Sequence, residues 1–587
     1  MNYLPIHKRL LRIAALFLFI CNQTYVEAEV KAKYPEFEGK IIRNVIVKLK
    51  DIFDDNEEGF IYRQANSLKI NTKEKVIKRE VLLKEGSVFN QSLLEQSERN
   101  LRSFRYLRKV NITPVAVEND FVDLIVNTQD TWTIIPQLGF STGTGRDKFS
   151  AGMVEHNLLG YGKRVAARFE DEDNRRSVAA QYEDQRFFGT QHTFSGGFYD
   201  RNDGEVGYLT VGRPYRSYSQ RFSYSFTAYA GDTIGRLFEN NDERFIFRQE
   251  NVHLTSRFSV SSGNPEIEIH RLAFGYDYLS DSFDQATLED YEDLNLDPEL
   301  VSNDPELLAS SRRYTGPSLT YHYIEPKFIS RNYIDRFDRV EDYNLGVEYS
   351  VNSLLAPRVL GSIGDTYLFS ANRSQGHKLS ADSFMRGELG FASRFDSDGM
   401  ANTLYRGEFK YYNVLGAKYI KDRFIGRHTL AFSFYVDYAD KLDKDREFLI
   451  GGDNAIRGYE AKMLTGDKRL AINLEDRVHL IDDAFKLVSI GAAAFFDGGG
   501  ATNESLGNII TDEFYSNVGV GLRIAFPRST GSQVLRVDLS FPLRDGPDGS
   551  GQFEPRLLIS GGQIFDSHLR SENLGTERAN VDIGFDR

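Results

Sequence analysis

Apolar and polar residues alternate with a period of two along most of this chain. In residues 222–230, Phe222, Tyr224, Phe226, Ala228 and Ala230 share one face, opposite Ser223, Ser225, Thr227 and Tyr229. In 430–438, Leu430, Phe432, Phe434, Val436 and Tyr438 oppose Ala431, Ser433, Tyr435 and Asp437. Residues 518–526 set Val518, Val520, Leu522, Ile524 and Phe526 against Gly519, Gly521, Arg523 and Ala525. Residues 535–543 set Leu535, Val537, Leu539, Phe541 and Leu543 against Arg536, Asp538 and Ser540. Strand side chains point alternately to two faces, so each run predicts a strand with one apolar and one polar side. About twenty such runs lie between Trp132 and Phe565, many of them about ten residues long, which suits a tilted strand crossing a bilayer.

Before residue 130 the pattern is mixed. Ile42, Val45 and Val47 predict an opening strand. Residues 91–103 place Leu94, Ser97 and Leu101 on one helical face. Gly86 sits where a helix is expected to end. Val110–Pro114 and Phe121–Asn127 read as two strands joined by a polar turn at Glu118, Asn119 and Asp120. The outline for residues 39–130 is strand, helices, strand, strand. Further upstream, Lys8, Arg9 and Arg12 precede an apolar run from Ile13 to Cys21, and Val26-Glu27-Ala28 offers small residues for cleavage. Residues 1–28 read as a secretory signal peptide. The bulky Ile20 before Cys21 argues against a lipoprotein signal.

A soluble sandwich would alternate as well. Three features favour a transmembrane barrel: export, an apolar face of large aromatic and aliphatic residues, and an opposite face of charges and glycine. Lipid cannot satisfy open sheet edges, so spanning strands must close on themselves. Residues 285–309 are acidic and read as an external loop.

Composition narrows the function. The 587 residues are 41% hydrophobic, and no uninterrupted apolar run approaches the ~18–20 residues of a spanning helix. The 43 Phe and 31 Tyr argue against disorder. A net charge of −13 argues against a protein that holds nucleic acid by phosphate neutralisation. The one cysteine excludes a disulfide scaffold and a cysteine-built metal site, and the ten histidines show no metal spacing. No cofactor is expected. Gly139-Phe140-Ser141-Thr142-Gly143 matches the G-x-S-x-G nucleophile elbow, but that motif needs a helix after the serine. Here strand pattern resumes over 147–156, which favours a turn over an esterase or lipase and predicts no enzyme.

One segment breaks the alternation in an informative way. Residues 448–459, FLIGGDNAIRGY, read as a shaped loop. An arginine in a loop that folds into a barrel needs carboxylates, which the planar guanidinium pairs in two-pronged fashion. Glu475 in LAINLEDR and Asp497 in AFFDGGG are the candidates, and the glycines after Asp497 allow a loop to approach the wall closely.

With these motifs in this order, the chain resembles the BamA/TamA family of outer-membrane assembly and translocation proteins, the surface antigen D15-like barrels. EGSVFNQSLLEQSERNLRSFRYLRKVNI resembles the core of a periplasmic POTRA domain, and EHNLLGYGKR at 155–164 an early barrel hairpin. IRGY at 456–459 matches the signature at the tip of the sixth external loop, and FFDGG at 495–499 matches a strand motif. The resemblance implies a loop lock in the lumen formed by Arg457, Gly458, Tyr459, Glu475 and Asp497. It implies a POTRA-like domain over 39–130 and a barrel of about sixteen strands, with more possible, over 131–565. A C-terminal tail of 566–587 follows the terminal aromatic Phe565 of the assembly signal. It also implies a weakly paired seam between first and last strands, where Gly139, Gly143, Gly561 and Gly562 lie. The expected partners are unfolded outer-membrane or secreted polypeptides, outer-membrane lipids and accessory periplasmic proteins. Alternatives are a dedicated two-partner-type secretion pore and a passive porin or structural barrel.

Overall fold

The structure, a computed structural model, describes residues 33–53, 70–117, 120–141, 148–172, 175–337, 339–530 and 534–561. The 1–28 segment, Gly143, Gly562, Phe565 and the 566–587 tail lie outside them.

The N-terminal unit is a three-stranded sheet with helices on it. Strand β1 (Ile41–Lys50) runs parallel to β3 (Phe121–Asp130), which pairs antiparallel with β2 (Leu107–Ala116). Helix α1 spans Glu74–Lys78 and α2 spans Gln91–Ser103. The Asn90 side chain accepts the Leu93 N–H at 2.8 Å and caps α2, an interaction worth about 1 kcal/mol. Leu94, Ser97 and Leu101 are the buried face, packed with Ile42, Ile77, Ile112 and Leu124 around one core. Gly86 does not end a helix. It turns the chain between the helices at φ +82 and donates to the Ile42 carbonyl at 2.7 Å, because α1 has already stopped at Lys78.

Among the described residues, twenty strands from Ile134–Ser141 to Arg556–Gly561 close an antiparallel barrel, the first lying beside the last. The size is the larger option left open beside the sixteen implied by resemblance: the alternating runs are separate strands of an enlarged barrel. The alternation partitions as its chemistry demands. Phe222, Tyr224 and Phe226 are exposed on the outer face while Ser223 is buried inward, and Val518, Val520 and Leu522 face out while Arg523, Arg536 and Asp538 face in. Ser141 is the last residue of the first strand, whose ladder with Lys148–Glu155 pairs Ser141 with Lys148. Ser141 thus sits in a strand ladder, and the rest of the motif, Thr142 and Gly143, lies outside the described residues.

The N-terminal domain packs beneath one mouth of the barrel. The Arg186 guanidinium donates to both oxygens of Glu80 at 2.7 and 2.6 Å, and Arg216 lies 3.8 Å from the same carboxylate. Asn157 donates to Thr72 at 2.8 Å, and the Lys73 N–H donates to the Gly160 carbonyl at 2.9 Å. Gly160 has φ +77, and a Cβ there would stand 2.3 Å from the Asn71 carbonyl oxygen, so close docking of this turn requires glycine. Across the mouth, Arg528 donates to the Ile52 carbonyl at 2.9 Å.

Candidate functional site

Residues 441–467 connect the strands Arg423–Asp440 and Lys468–Ala484 at the mouth far from the N-terminal domain. This is the eighth connection at that mouth, not the sixth, because the twenty strands include extra hairpins before it. A short ladder, Phe448–Ile450 with Leu464–Gly466, folds the loop into a hairpin. Its tip turns into the lumen: Ala455, Ile456, Tyr459 and Met463 are fully buried against Tyr435, Ala471, Ala501 and Tyr515 of the wall. Gly458 passes so near the wall that a Cβ would stand 2.6 Å from the Asn517 Cβ. The Tyr459 hydroxyl lies 3.1 Å from each of the Ser516 and Arg544 carbonyls, within donating distance of either.

Arg457 reaches the wall from that tip. Its Nε and Nη2 donate to Asp497 Oδ2 and Oδ1 at 2.8 and 2.9 Å, a two-pronged pair. Its Nη1 lies 3.2 Å from Asp538 Oδ2 and 3.5 Å from Glu475 Oε1. The guanidinium carbon stands 3.4 Å from the Phe495 ring centroid, so a cation–π contact covers its face. Asn473 and Asn517 each donate to Asp497, at 2.8 and 2.9 Å, which satisfies both carboxylate oxygens twice over. Arg523 bridges Glu475, at 2.6 Å, and Asp538. Arg477 donates to the other Glu475 oxygen at 3.0 Å.

Arg457 and its carboxylate partners are at most 2% exposed at the side chain. Forming such a buried network is close to break-even against apolar packing, but removing one member leaves a buried charge uncompensated. Arginine stays charged and only donates, so this arrangement holds a loop in one place rather than moving protons. Sequence reasoning placed Arg457, Gly458, Tyr459, Glu475 and Asp497, and the structure brings them together. It missed Asp538, Arg523, Arg477, Asn473 and Asn517. The available signal was their inward position in alternating strands, shared with every other lumen residue.

A second clamp holds the outer part of the same loop. Arg312 donates to both oxygens of Asp445 at 2.9 and 2.7 Å, and to Asp281 at 3.2 Å. Arg394 Nη1 lies 2.9 Å from both oxygens of Asp443. At the seam, Gly139 pairs with Ser150 in the first strand, and Gly561 ends the last strand opposite Leu535. Among the described residues no cluster of metal-ligating side chains occurs.

Residues 383–565, which contain the whole Arg457 clamp, match the model of the Omp85 superfamily domain, and residues 68–129 match the POTRA model, a surface antigen variable number repeat. The chain carries an Omp85 superfamily domain and a POTRA domain, which together indicate the outer membrane. Its POTRA domain lies on the periplasmic side, which makes the mouth it covers the periplasmic one and the 441–467 loop external. Over 131 residues, 21% of the chain, it is 32% identical to a "Putative outer membrane protein assembly factor" of Treponema pallidum (strain Nichols). That match spans 16% of the relative's length. Solved structures with a similar course include BamA from Haemophilus ducreyi lacking POTRA domains 1–3, at 13% identity, TM-score 0.36, and 89% and 84% of the two chains. CdiB from Escherichia coli is similar at 13% identity, TM-score 0.44, and 89% and 76% coverage. At those scores the likeness says nothing of this chain's role.

Proposed function

We propose that this Omp85 barrel inserts, assembles or translocates other polypeptides at the outer membrane, and that it is not an enzyme. The observation that carries the reading is the Arg457 clamp. A loop that could lie outside is folded into the lumen and fastened between Asp497, Glu475 and Asp538. A passive porin gains nothing from filling its own lumen, nor from a POTRA domain packed under its mouth. In this reading Arg457, Gly458, Tyr459, Glu475 and Asp497 lock the loop. The seam receives substrate: Gly139 and Gly561 occupy its two strands, and glycine weakens a ladder. An edge that opens there templates an incoming strand by β-augmentation. Gly143, Gly562 and Phe565 belong to the same proposal. The partners are unfolded outer-membrane or secreted polypeptides, with lipids around the barrel and accessory proteins in the periplasm.

The test is the outer-membrane and secreted proteome after depletion. Broad loss of barrel proteins is expected of a general assembly factor. Loss of one or a few secreted proteins, with barrels unchanged, assigns a dedicated translocator. No change in either would overturn the proposal and leave a porin or structural barrel.

A further inference from the structure

The strands Arg312–Ile324 and Glu348–Ala356 are direct neighbours in the barrel, paired from Ser318 with Leu354 to Ile324 with Glu348. Their ladder ends at the periplasmic mouth, where a two-residue turn would join them. The chain instead spends 23 residues, 325–347, while the other turns at this mouth run from two (421–422) to nine (526–534). The insert forms its own hairpin, Phe328–Arg331 with Glu341–Asn344. The Glu341 carboxylate gathers the tip by accepting the N–H groups of Ile334, Asp335 and Arg336 at 3.2 to 3.3 Å.

The tip enters the lumen. Ile334 is fully buried against Phe384, Tyr412 and Ala431 on the inner faces of three successive strands. Phe337 packs on Ala525, Val534 and His479, some distance further round the wall. Between them Arg477 donates to the Ile334 carbonyl at 2.6 Å and to Asp335 at 2.9 Å. Arg477 also holds Glu475, which faces Arg457. The insert adds a carboxylate to this network. The barrel and its loop supply four guanidinium groups (Arg457, Arg477, Arg523, Arg536) and three carboxylates (Glu475, Asp497, Asp538), and Asp335 supplies the fourth.

The outer end of the insert holds the POTRA domain. Asp342 receives two hydrogen bonds from Arg102 of α2, at 2.8 and 2.9 Å. Arg339 donates to the Phe104 and Leu107 carbonyls at 3.2 and 2.8 Å, just past the C-terminus of α2, where the helix dipole favours a cation. Arg99 stacks over Phe328 at 4.2 Å.

We propose that residues 325–347 are an internal plug: they close the periplasmic end of the lumen, and the POTRA domain latched to them holds them there against the Arg457 clamp, so that releasing the domain lets the plug leave and frees the loop. The contacts run without a gap from Arg102 through Asp342, the hairpin, Asp335, Arg477 and Glu475 to Arg457. This goes beyond the proposed role, since it concerns how the lumen is shut and needs no substrate.

The test is ion conductance of the full-length protein in planar bilayers. Wild type is expected to conduct rarely. Arg339→Ala with Asp342→Asn weakens the outer attachment, leaving of it the Arg99–Phe328 stack, and leaves the barrel wall intact. It is expected to raise open probability by at least about tenfold, the shift that loss of charge-assisted hydrogen bonds produces in a two-state equilibrium. Asp335→Asn is expected to act in the same direction. A second protein, Arg102→Cys with Asp342→Cys, is measured before and after bridging with a short bismaleimide. Unbridged, it is expected to leak; bridged, to close. The sequence has one cysteine, Cys21, within the expected signal peptide 1–28. Conductance equal to wild type in the heat-modifiable double variant, or equal in the bridged and unbridged pair, overturns the plug. A proteome unaffected by depletion would overturn the proposed function and leave these recordings untouched.

Discussion

The external loop 441–467 is fastened twice, and the two clamps use the same chemistry in different surroundings. At the inner clamp, Arg457 and Asp497 are 2% and 0% exposed. At the outer clamp, Arg394 and Asp443 are 18% and 14% exposed. Both are arginine–carboxylate pairs near 2.9 Å. Water separates their consequences. A partly wet pair can trade its partner for solvent when broken, whereas a dry pair cannot. The inner clamp therefore decides whether the loop has one position, and the outer clamp adjusts how firmly that position is kept.

The largest effect is expected from Arg457→Ala. It leaves Asp497 without a cation in a dry site, while Glu475 and Asp538 keep Arg523, at a cost of about 3–5 kcal/mol. The measurement is the temperature at which the barrel loses its compact, heat-modifiable migration, together with growth or secretion in cells. Arg457→Lys restores the charge but not the two-pronged geometry, so it should recover only part of the loss. If alanine and wild type unfold together, the inner clamp is no more than a contact. Next comes Asp497→Asn, which keeps the shape and the Asn473 and Asn517 partners but takes away one charge. Arg457 retains Glu475 and Asp538, so a smaller loss of about 2–3 kcal/mol is expected by the same assay.

The inner clamp was partly legible in the sequence for a reason that the two clamps make plain. Arg457 and Asp497 sit in segments that depart from simple alternation, with glycines beside them that a plain strand has no use for, while Glu475 lies in the regular strand between them. Asp538 sits in LRVDLSFPL, a regular strand in which an inward aspartate is ordinary, so nothing marks it as a partner. Arg312, Asp443, Asp445 and Arg394 of the outer clamp are likewise single charges in polar stretches, joined only by the closing of the barrel. The fold itself was legible because lipid outside and polar lumen inside impose a strict period of two. The plug was not: EPKFISRNYIDRFDRVEDYNLGV mixes aromatic and charged residues without a period, and its burial depends on what it enters. The count of strands was half legible: about twenty alternating runs left open split strands or an enlarged barrel, and only the pairing around the wall decides for the enlarged one.

A third clamp extends the comparison to the periplasmic rim and to pH. Glu80 is buried beneath Arg186, with Arg216 and Arg79 beside it. Burial pushes its carboxyl up, and the hydrogen bonds and charges of Arg186, then Arg216 and Arg79, outweigh that and hold it below the ordinary 4.5. A carboxylate with a depressed folded value stabilises the docked state above its unfolded pKa, and that contribution is lost as pH falls through the folded value. Docking of the POTRA domain should therefore be insensitive to pH from 7 down to about 4.5 as far as Glu80 is concerned. Below that it should weaken, as read by protease release of the domain from the barrel. Glu80→Gln should show at pH 7 the release that wild type shows only in acid.

The smallest effect is expected where the comparison is most exposed. Arg394→Ala weakens the outer clamp at Asp443, which keeps Arg312 at 3.4 Å, and leaves Arg312 on Asp445. With partial solvent access at both partners, the loss should be about 1 kcal/mol, with the heat-modifiable form retained. The sharper form is a double-mutant cycle, with Arg394→Ala and Arg457→Ala made singly and together. If the clamps hold the loop independently, the two losses add. If the loop is one rigid body whose inner end sets its outer end, Arg394→Ala costs nothing further once Arg457 is gone, because the loop has already left Asp443 out of reach. An additive result would deny the ranking of the two clamps while leaving each one's chemistry in place. A strongly non-additive result would make the buried arginine the condition on which the exposed one works.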